Sequence, residues 1–313
     1  MKISEKMPKT YFIWGVLTVL AAAITYGFTV KPETDSVTEN EIIDTPYKVV
    51  SIPTPTELKF AGEPVPLEIM DVKEKLDREL HVNSYWHSNT FLNMKRAHRW
   101  FPVIESILKK NGIPDDFKYL AVIESGLTNA VSPAEATGYW QFLKETGKSY
   151  GLEINSEVDE RYHVEKATEA ACAYLTDAYM KYGSWSLVAA SYNMGMGGVN
   201  KQLTQQKVDS YWDLLLNQET GRYVYRILAV KEVMNNPETY GFIIDETDLY
   251  KPYATHNIEL TKSEPDLAQF ALDQGINYKI LKTLNPWLRK RTLTNSSGKT
   301  YSLKMPNDPS FRE

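Results

Sequence analysis

Apolar residues recur every three or four positions along most of the chain between residues 67 and 242, and this spacing predicts amphipathic helices. The segment "NMKRAHRWFPVIESILKKNG" follows the spacing and closes with a glycine, a common helix stop. "HVEKATEAACAYLTDAYMKYG" and "SWSLVAASYNMG" repeat the pattern of a helix followed by a glycine. Few strands are evident here. We therefore expect residues 67–245 to form an all-α domain.

One predicted helix, within "FKYLAVIESGLTN", is apolar on nearly every face. At helical spacing, Phe117, Leu120 and Ala121 share a face with Glu124. Such a helix is buried, and burial raises the pKa of a carboxyl group because it disfavours the charged form. Two interpretations of Glu124 follow from this stretch alone. It is a general acid near neutral pH, or a structural glutamate held by a hydrogen bond or an arginine.

The segments on either side of the helical domain have different patterns. Residues 31–66 are rich in Pro, Thr and acidic side chains, a composition typical of an extended linker that acts as a tether or wraps a surface. Residues 246–313 instead predict a short strand, two short helices and another strand. The fold class expected for the whole chain is therefore mainly α, with a small α+β module at the C-terminus.

The first thirty residues predict export from the cytoplasm. Residues 11–30 form an uncharged apolar run, which is long enough to span a bilayer core of about 30 Å. The basic "MKISEKMPK" precedes it and the acidic "KPETDSVTENE" follows, so the N-terminus is expected to stay in the cytoplasm. We favour an uncleaved membrane anchor within residues 1–30. The alternative is a cleaved signal peptide, with "AAA" at 21–23 in the cleavage region. Either interpretation places the helical domain in the periplasm.

Composition excludes several classes of partner and cofactor. The formal net charge of −5 gives no electrostatic reason to expect nucleic acid. The five histidines lack ligand spacing, so we expect no metal site, and "NMGMGG" lacks the lysine of a phosphate-binding loop. We expect no cofactor. The sole cysteine, Cys172, is interpreted as a small core residue.

Four polar or aromatic clusters lie at predicted helix boundaries: "ES" at 124–125, "GYWQF" at 138–142, "SYN" at 191–193 and "ETGRYV" at 219–224. Their order and spacing resemble the lytic transglycosylase branch of the goose-type lysozyme-like superfamily. Within that branch, they are most similar to the membrane-bound lytic murein transglycosylase D group. The resemblance extends over residues 60–245 and includes "AGEPVPL" and "VDERYHVEKATEAACAYL". It implies a lysozyme-like catalytic domain.

The resemblance implies roles for the residues that match the family's motifs. Glu124 matches the catalytic acid/base, Ser125 the neighbour that orients the substrate or the carboxyl, and Tyr223 a tyrosine near the glutamate. The other matches are implied to bind substrate in the glycan cleft: Gly138, Tyr139, Trp140, Gln141, Tyr192 and Asn193. Glu135 stands where the family usually has a glycine. It is either an extra carboxylate near the cleft or an exposed helix residue.

The implied reaction cleaves the bond between MurNAc and GlcNAc in peptidoglycan glycan strands. A hydrolase of the usual kind needs a second carboxylate. A transglycosylase needs one glutamate, which protonates the leaving oxygen and then deprotonates the C6 hydroxyl of MurNAc as it closes onto C1. Two alternatives stay open: a hydrolytic muramidase on the same fold, and a non-catalytic peptidoglycan-binding scaffold. The sequence identifies no protein partner.

The predicted strand–helix–helix–strand order of residues 246–313, with "NPWL" at 285–288, resembles a divergent LysM carbohydrate-binding module. The alternative is an appendage without a sugar site. In a LysM-like module the groove is expected around residues 263–266 and 285–288. There Trp287 either offers its ring to a sugar or packs on the catalytic domain.

Overall fold

The computed structural model of the protein describes residues 49–311. The apolar segment at residues 11–30, with its predicted role as an anchor or signal, lies outside these residues. Within residues 49–311, no helix is both long and apolar enough to cross a membrane. Attachment to the membrane therefore stays a prediction.

Helices dominate the described chain, as the spacing of apolar positions predicts. From residue 49 onward, eight α-helices precede the C-terminal segment: α1 Met70–Tyr85, α2 His87–Lys110, α3 Lys118–Ser125, α4 Lys144–Ser149, α5 Val164–Tyr182, α6 Trp185–Met194, α7 Met196–Gln206 and α8 Thr220–Asn235. The prediction of a mainly α fold is confirmed.

Helix α8 lies at the centre of the helical domain. It packs against α1, α3 and α6, while α2 packs against α3 and α5. A continuous apolar core joins these helices and includes Phe60, Leu120 and Phe242. Because α8 contacts both α3 and α6, it is the element that brings their functional side chains together.

Helix α3, which carries Glu124, is the buried helix that its sequence predicts. Leu120 and Ala121 are fully buried and Val122 is nearly so. The helix ends at Gly126, whose N–H donates to the carbonyl of Val122 at 2.8 Å and whose φ of +59° lies in the left-handed region that favours glycine. Glu124 thus lies in the last turn of a short, buried helix.

The described part of the predicted linker wraps the helical domain. Two strands form an antiparallel hairpin: β1 Lys59–Phe60 and β2 Glu63–Pro64. Phe60 is fully buried in the core. The Glu63 carboxylate accepts hydrogen bonds from the backbone N–H groups of Trp185, at 2.6 Å, and Ser186, at 3.3 Å. A negative charge at the N-terminus of α6 interacts favourably with the helix dipole. The hairpin therefore helps to hold this helix in place.

The C-terminal segment has the predicted order of strand, helix, helix and strand. Its elements are β3 Thr255–Leu260, α9 Leu267–Asp273, α10 Tyr278–Leu284 and β4 Tyr301–Pro306. The two strands pair antiparallel along their whole length. A second apolar cluster, which includes Leu267, Leu281 and Leu303, lies between the sheet and the helices. We call residues 255–306 the C-terminal module.

Trp287 packs between the C-terminal module and the helical domain. Its ring stacks on His163 at 5.9 Å and on Tyr301 at 5.8 Å, and only 3% of the residue is exposed. The carbonyl of Trp287 also accepts a hydrogen bond from the N–H of Asp159 at 2.9 Å. The expectation that this ring is offered to a sugar is therefore wrong, because both of its neighbours cover it.

Candidate active site

The Glu124 side chain lies between helices α3 and α8. The residue is half-buried, and one carboxyl oxygen, Oε1, accepts a hydrogen bond from the phenol of Tyr223. Tyr223 is on α8 and is almost fully buried. The structure thus brings together two of the residues that the sequence selected, although 99 positions separate them in the chain.

Burial raises the pKa of the Glu124 carboxyl to about 6. The hydrogen bond from Tyr223 and the positive charge of Arg226 act in the opposite direction, while the negative charge of Glu219 adds to the increase. Desolvation is the largest of these effects. A carboxyl group with a pKa near 6 is populated in both forms close to neutral pH, which suits a group that must donate a proton and then accept one.

Two tyrosines near Glu124 stay protonated. Burial raises the pKa of Tyr223 and that of Tyr192 well above the usual range, and the nearby Glu124 charge adds to both shifts. Both phenols therefore act as neutral hydrogen-bond donors. Tyr192 donates to the carbonyl of Trp140 at 2.8 Å, which links helix α6 to the "GYWQF" segment.

Arg161 holds the "GYWQF" segment, residues 138–142, from behind. Its guanidinium is buried, pairs with the Asp159 carboxylate at 2.7 Å and donates to the carbonyl of Phe142 at 3.1 Å. A Cβ atom at Gly138 would lie 1.9 Å from the Arg161 carbonyl oxygen, and the φ of Gly138 is +82°. Gly138 therefore permits a close approach of two backbone segments.

Trp140 and Gln141 of this segment also make contacts that hold the loop. Trp140 is fully buried, and its Nε1 donates to Thr168 Oγ1 at 2.9 Å. The side-chain amide of Gln141 donates to the carbonyls of Ala130, at 3.0 Å, and Gly138, at 2.9 Å. Gly138 and Trp140 thus have structural roles in this loop, and their contact with glycan stays a prediction. Gln141 is half-buried, so its contact with substrate stays a prediction.

Ser125 fastens the end of α3 to the same loop. Its hydroxyl lies 2.9 Å from the carbonyl oxygen of Tyr139 in a hydrogen bond. Tyr139 itself is almost fully buried, and its ring packs edge-on against Trp100 at 5.1 Å. These contacts fix the backbone on the C-terminal side of Glu124. They match the orienting role expected for Ser125 more closely than a contact with substrate.

Asn193 connects the end of α6 to the start of α8. Its amide nitrogen donates to Glu219 Oε1 at 3.0 Å, and its amide oxygen accepts from the Thr220 hydroxyl at 2.7 Å. The residue is half-buried. Its predicted contact with substrate is untested, but these two bonds already place it beside the helix that carries Tyr223.

Arg226 is a site residue that sequence reasoning missed. Its guanidinium donates to the carbonyl of Ile123 at 2.9 Å, and its charge favours the anionic form of Glu124. The sequence does indicate it, because Arg226 follows Tyr223 by three positions and therefore shares its face of α8.

A cleft of about 660 Å³ runs along the last turn of α3 and is lined by both neighbours of Glu124, Ile123 and Ser125. Two carboxylates, Glu79 and Glu219, line it, and both already have partners. Glu79 is buried and pairs with the Arg222 guanidinium at 2.7 Å, while Glu219 is held by Asn193. Further lining residues include Asn93, Arg96, Gly126, Thr128 and Arg226.

Glu135 lies in a loop, so the helical position considered for it is wrong. Its side chain is exposed, and its φ of +62° is in the left-handed region. A glycine would adopt this conformation without strain, which gives a physical reason for the glycine of the related motif. Within residues 49–311, no group of three or more His, Cys, Asp or Glu side chains is placed to hold a metal ion.

Comparisons with known proteins match two parts of the chain to families. Residues 101–215 match the transglycosylase SLT domain, and residues 256–309 match the soluble lytic transglycosylase C-terminal LysM-like domain. The chain is 31% identical over 251 residues to the membrane-bound lytic murein transglycosylase D of Escherichia coli K12 and of Escherichia coli O6:H1. Each alignment covers 77% of this chain and 54% of the relative, so the chain spans about half the length of the curated relatives it matches.

A solved structure of an inactive mutant of the lytic transglycosylase Slt from Pseudomonas aeruginosa is also similar to this chain. It shares 20% sequence identity and covers 48% of this chain and 26% of its own. The TM-score is 0.35, which is too low to support any conclusion about the site.

The raised pKa of Glu124 predicts how its replacement changes stability with pH. The folded-state pKa of about 6 exceeds the ordinary pKa of 4.5. The stability that this carboxyl contributes is therefore fully present below pH 4.5 and is lost as pH rises through 6. Glu124→Gln does not titrate. Its unfolding free energy, relative to wild type, should therefore rise by roughly 2 kcal/mol between about pH 4 and pH 7.5.

Urea unfolding at several pH values measures this difference, because all other groups titrate alike in the two proteins. The control is Glu135→Gln at the exposed loop position, which should differ from wild type by less than about 0.5 kcal/mol throughout. A Glu124→Gln difference that stays constant with pH would contradict the burial of a high-pKa carboxyl.

Proposed function

We propose that this chain, which carries a transglycosylase SLT domain and a LysM-like domain of the soluble lytic transglycosylase type, is a peptidoglycan lytic transglycosylase. It cleaves the MurNAc–β-1,4–GlcNAc bond and leaves a 1,6-anhydroMurNAc end. We assign the chemistry to residues 67–245 and treat residues 246–313 as an attached module. The name of the E. coli relatives, which describes a murein transglycosylase, supports this choice.

The observation that carries the proposal is that one carboxyl has a raised pKa, whereas the carboxyl groups near it already have hydrogen-bond or ion-pair partners. Among residues 49–311, only the neutral phenol of Tyr223 donates a hydrogen bond to Glu124, whereas Glu79 is paired with arginine and Glu219 accepts from Asn193. A hydrolytic mechanism requires a second carboxylate that is free to activate water or attack the sugar. The site therefore favours a mechanism that uses a single group.

In the first step the protonated Glu124 donates its proton to the glycosidic oxygen, and the C1–O bond of MurNAc breaks. Positive charge then develops at C1 and the ring oxygen. The Glu124 carboxylate next accepts the proton of the C6 hydroxyl while that oxygen bonds to C1, which restores the protonated acid. Because the hydroxyl belongs to the same sugar, it attacks at a high effective concentration. Tyr223 and Arg226 are positioning residues that stabilise the carboxylate between the two transfers.

Replacement of Glu124 tests this assignment. Glu124→Gln keeps the side-chain shape but neither donates nor accepts the proton, so turnover should fall by about 10²–10⁴-fold or more. Release of muropeptides from purified sacculi, followed by mass spectrometry, measures both the rate and the chemical nature of the new ends. Glu135→Gln is the matched control and should keep wild-type turnover.

Residual activity of Glu124→Gln above about a tenth of wild type would remove this residue from the mechanism, since a lost acid–base group costs far more. The ends themselves distinguish the alternatives. Anhydro ends identify a transglycosylase and reducing ends a muramidase, for which the engaged Glu219 would be the remaining candidate base. Absence of any released product would favour the non-catalytic scaffold.

We also propose that residues 11–30 anchor the protein in the membrane and leave the catalytic domain in the periplasm. The uncharged apolar run with its basic flank supports this, as does the membrane-bound description of the E. coli relatives. The extracted protein should remain with membranes in high salt and retain its N-terminal peptide in mass spectrometry. A soluble form that begins near Ile24 would show that the segment is a cleaved signal.

A further inference from the structure

A second cavity, of about 640 Å³, lies between the helical domain and the C-terminal module. We call it the interdomain groove. Helix α2 provides Arg99 and Trp100 on one side, and the module provides Lys282 on the other. Arg96 and Thr128 line both this groove and the cleft along the last turn of α3, which we call the catalytic cleft. The two cavities are therefore neighbours that share a wall.

The interdomain groove has an excess of positive charge. Arg96, Arg99 and Lys282 have no carboxylate within ion-pair distance among residues 49–311. The one carboxylate in the lining, Glu165, already pairs with Lys304. Three basic side chains thus line the groove without an anionic partner among residues 49–311.

The cationic groups are held in place by neutral oxygen atoms. Arg96 donates to the carbonyl of Gly126 at 2.9 Å, and Arg99 donates to the carbonyl of Lys251 at 2.9 Å. Lys282 donates to the carbonyl of Leu288. These bonds fix the side chains but leave their charges uncompensated, so an anion in the groove would gain charge-assisted hydrogen bonds without displacing a carboxylate.

Burial and then the nearby Arg289 lower the pKa of Lys282 to about 8. A bound anion would favour the charged form and oppose that shift. The aromatic surface on the opposite side of the groove includes Trp100, which lies 6.0 Å from the ring of Tyr253. A ligand that combines carboxylate groups with small apolar groups matches these walls.

We propose that the interdomain groove binds the acidic peptide stem of the peptidoglycan strand whose glycan lies in the catalytic cleft. The inference rests on the proposed function. A stem branches from the lactyl group of MurNAc, and its free carboxylates and alanyl methyl groups have the chemistry described above. The groove exists only when the module is docked on the helical domain. The module therefore contributes to substrate recognition through Lys282, although the ring of Trp287 is buried.

The test compares two substrates with the full chain: glycan strands that carry peptide stems, and the same strands after an amidase has removed the stems. The measured quantity is the ratio of kcat/KM for stem-bearing over stem-free strands, from the formation of anhydro ends. The double variant Arg99→Gln with Lys282→Gln should lower this ratio about tenfold, because each side chain loses a charge-assisted contact.

The control is the double variant Lys109→Gln with Lys279→Gln. It removes the same charge from the same two helices, α2 and α10, at exposed positions outside the groove lining. Its ratio should equal that of wild type. Thermal unfolding checks whether the groove variant is destabilised. If it is, the single variant Lys282→Gln replaces it, and the wild-type ratio is also measured at increasing salt concentration. Added salt should lower that ratio.

The outcomes distinguish a failure of the groove proposal from a failure of the proposed function. A groove variant with the wild-type ratio would overturn the proposal. Equal losses on both substrates would do so as well and would indicate a subsite for glycan instead. If the wild-type chain forms no anhydro ends from either substrate, the proposed function itself fails, and the role of the groove fails with it.

Discussion

The desolvation of one carboxyl group is the constraint on which this site depends. Glu124 lies in the last turn of a helix whose other residues are mostly buried, and this burial raises its pKa to about 6. A buried carboxylate without a partner would be costly. Two residues of helix α8 reduce this cost: the neutral phenol of Tyr223 donates a hydrogen bond to the carboxylate, and the nearby charge of Arg226 favours the anion. Both effects stabilise the anion without cancelling the raised pKa.

Several side chains around the carboxyl hold the backbone of its site in place. Ser125 and Tyr192 attach their helices to the "GYWQF" loop, and Arg161 supports that loop from the other side. Glu63 fixes the first turn of the helix that carries Tyr192. Under the proposed mechanism one group performs two proton transfers, so such support matters because the same oxygen atoms would have to reach two positions on the sugar.

The sequence predicted the features that depend on local pattern. The helical domain, the buried helix of Glu124 and the order of elements in the C-terminal module all follow from the spacing of apolar residues. Proximity of Tyr223 to Glu124 came only from the family resemblance. Features created by packing between distant segments were not predicted: Trp140 is buried beside Thr168, and Arg226 contacts the backbone of α3. For Trp287, packing on the helical domain was one of two open alternatives, and its stacking on His163 supports that one. The interdomain groove also requires two units to be docked, which no local pattern encodes.

The most direct test of this account is the titration of the Glu124 carboxyl carbon by NMR, in protein labelled with ¹³C at the side-chain carboxyl of glutamate. Glu124→Gln identifies the resonance by its loss. The account predicts a pKa of about 6 in the wild-type protein, and a higher value in Tyr223→Phe, because the lost hydrogen bond favours the anion. A wild-type pKa at or below the ordinary 4.5 would contradict it, since burial would then not govern the protonation of this group.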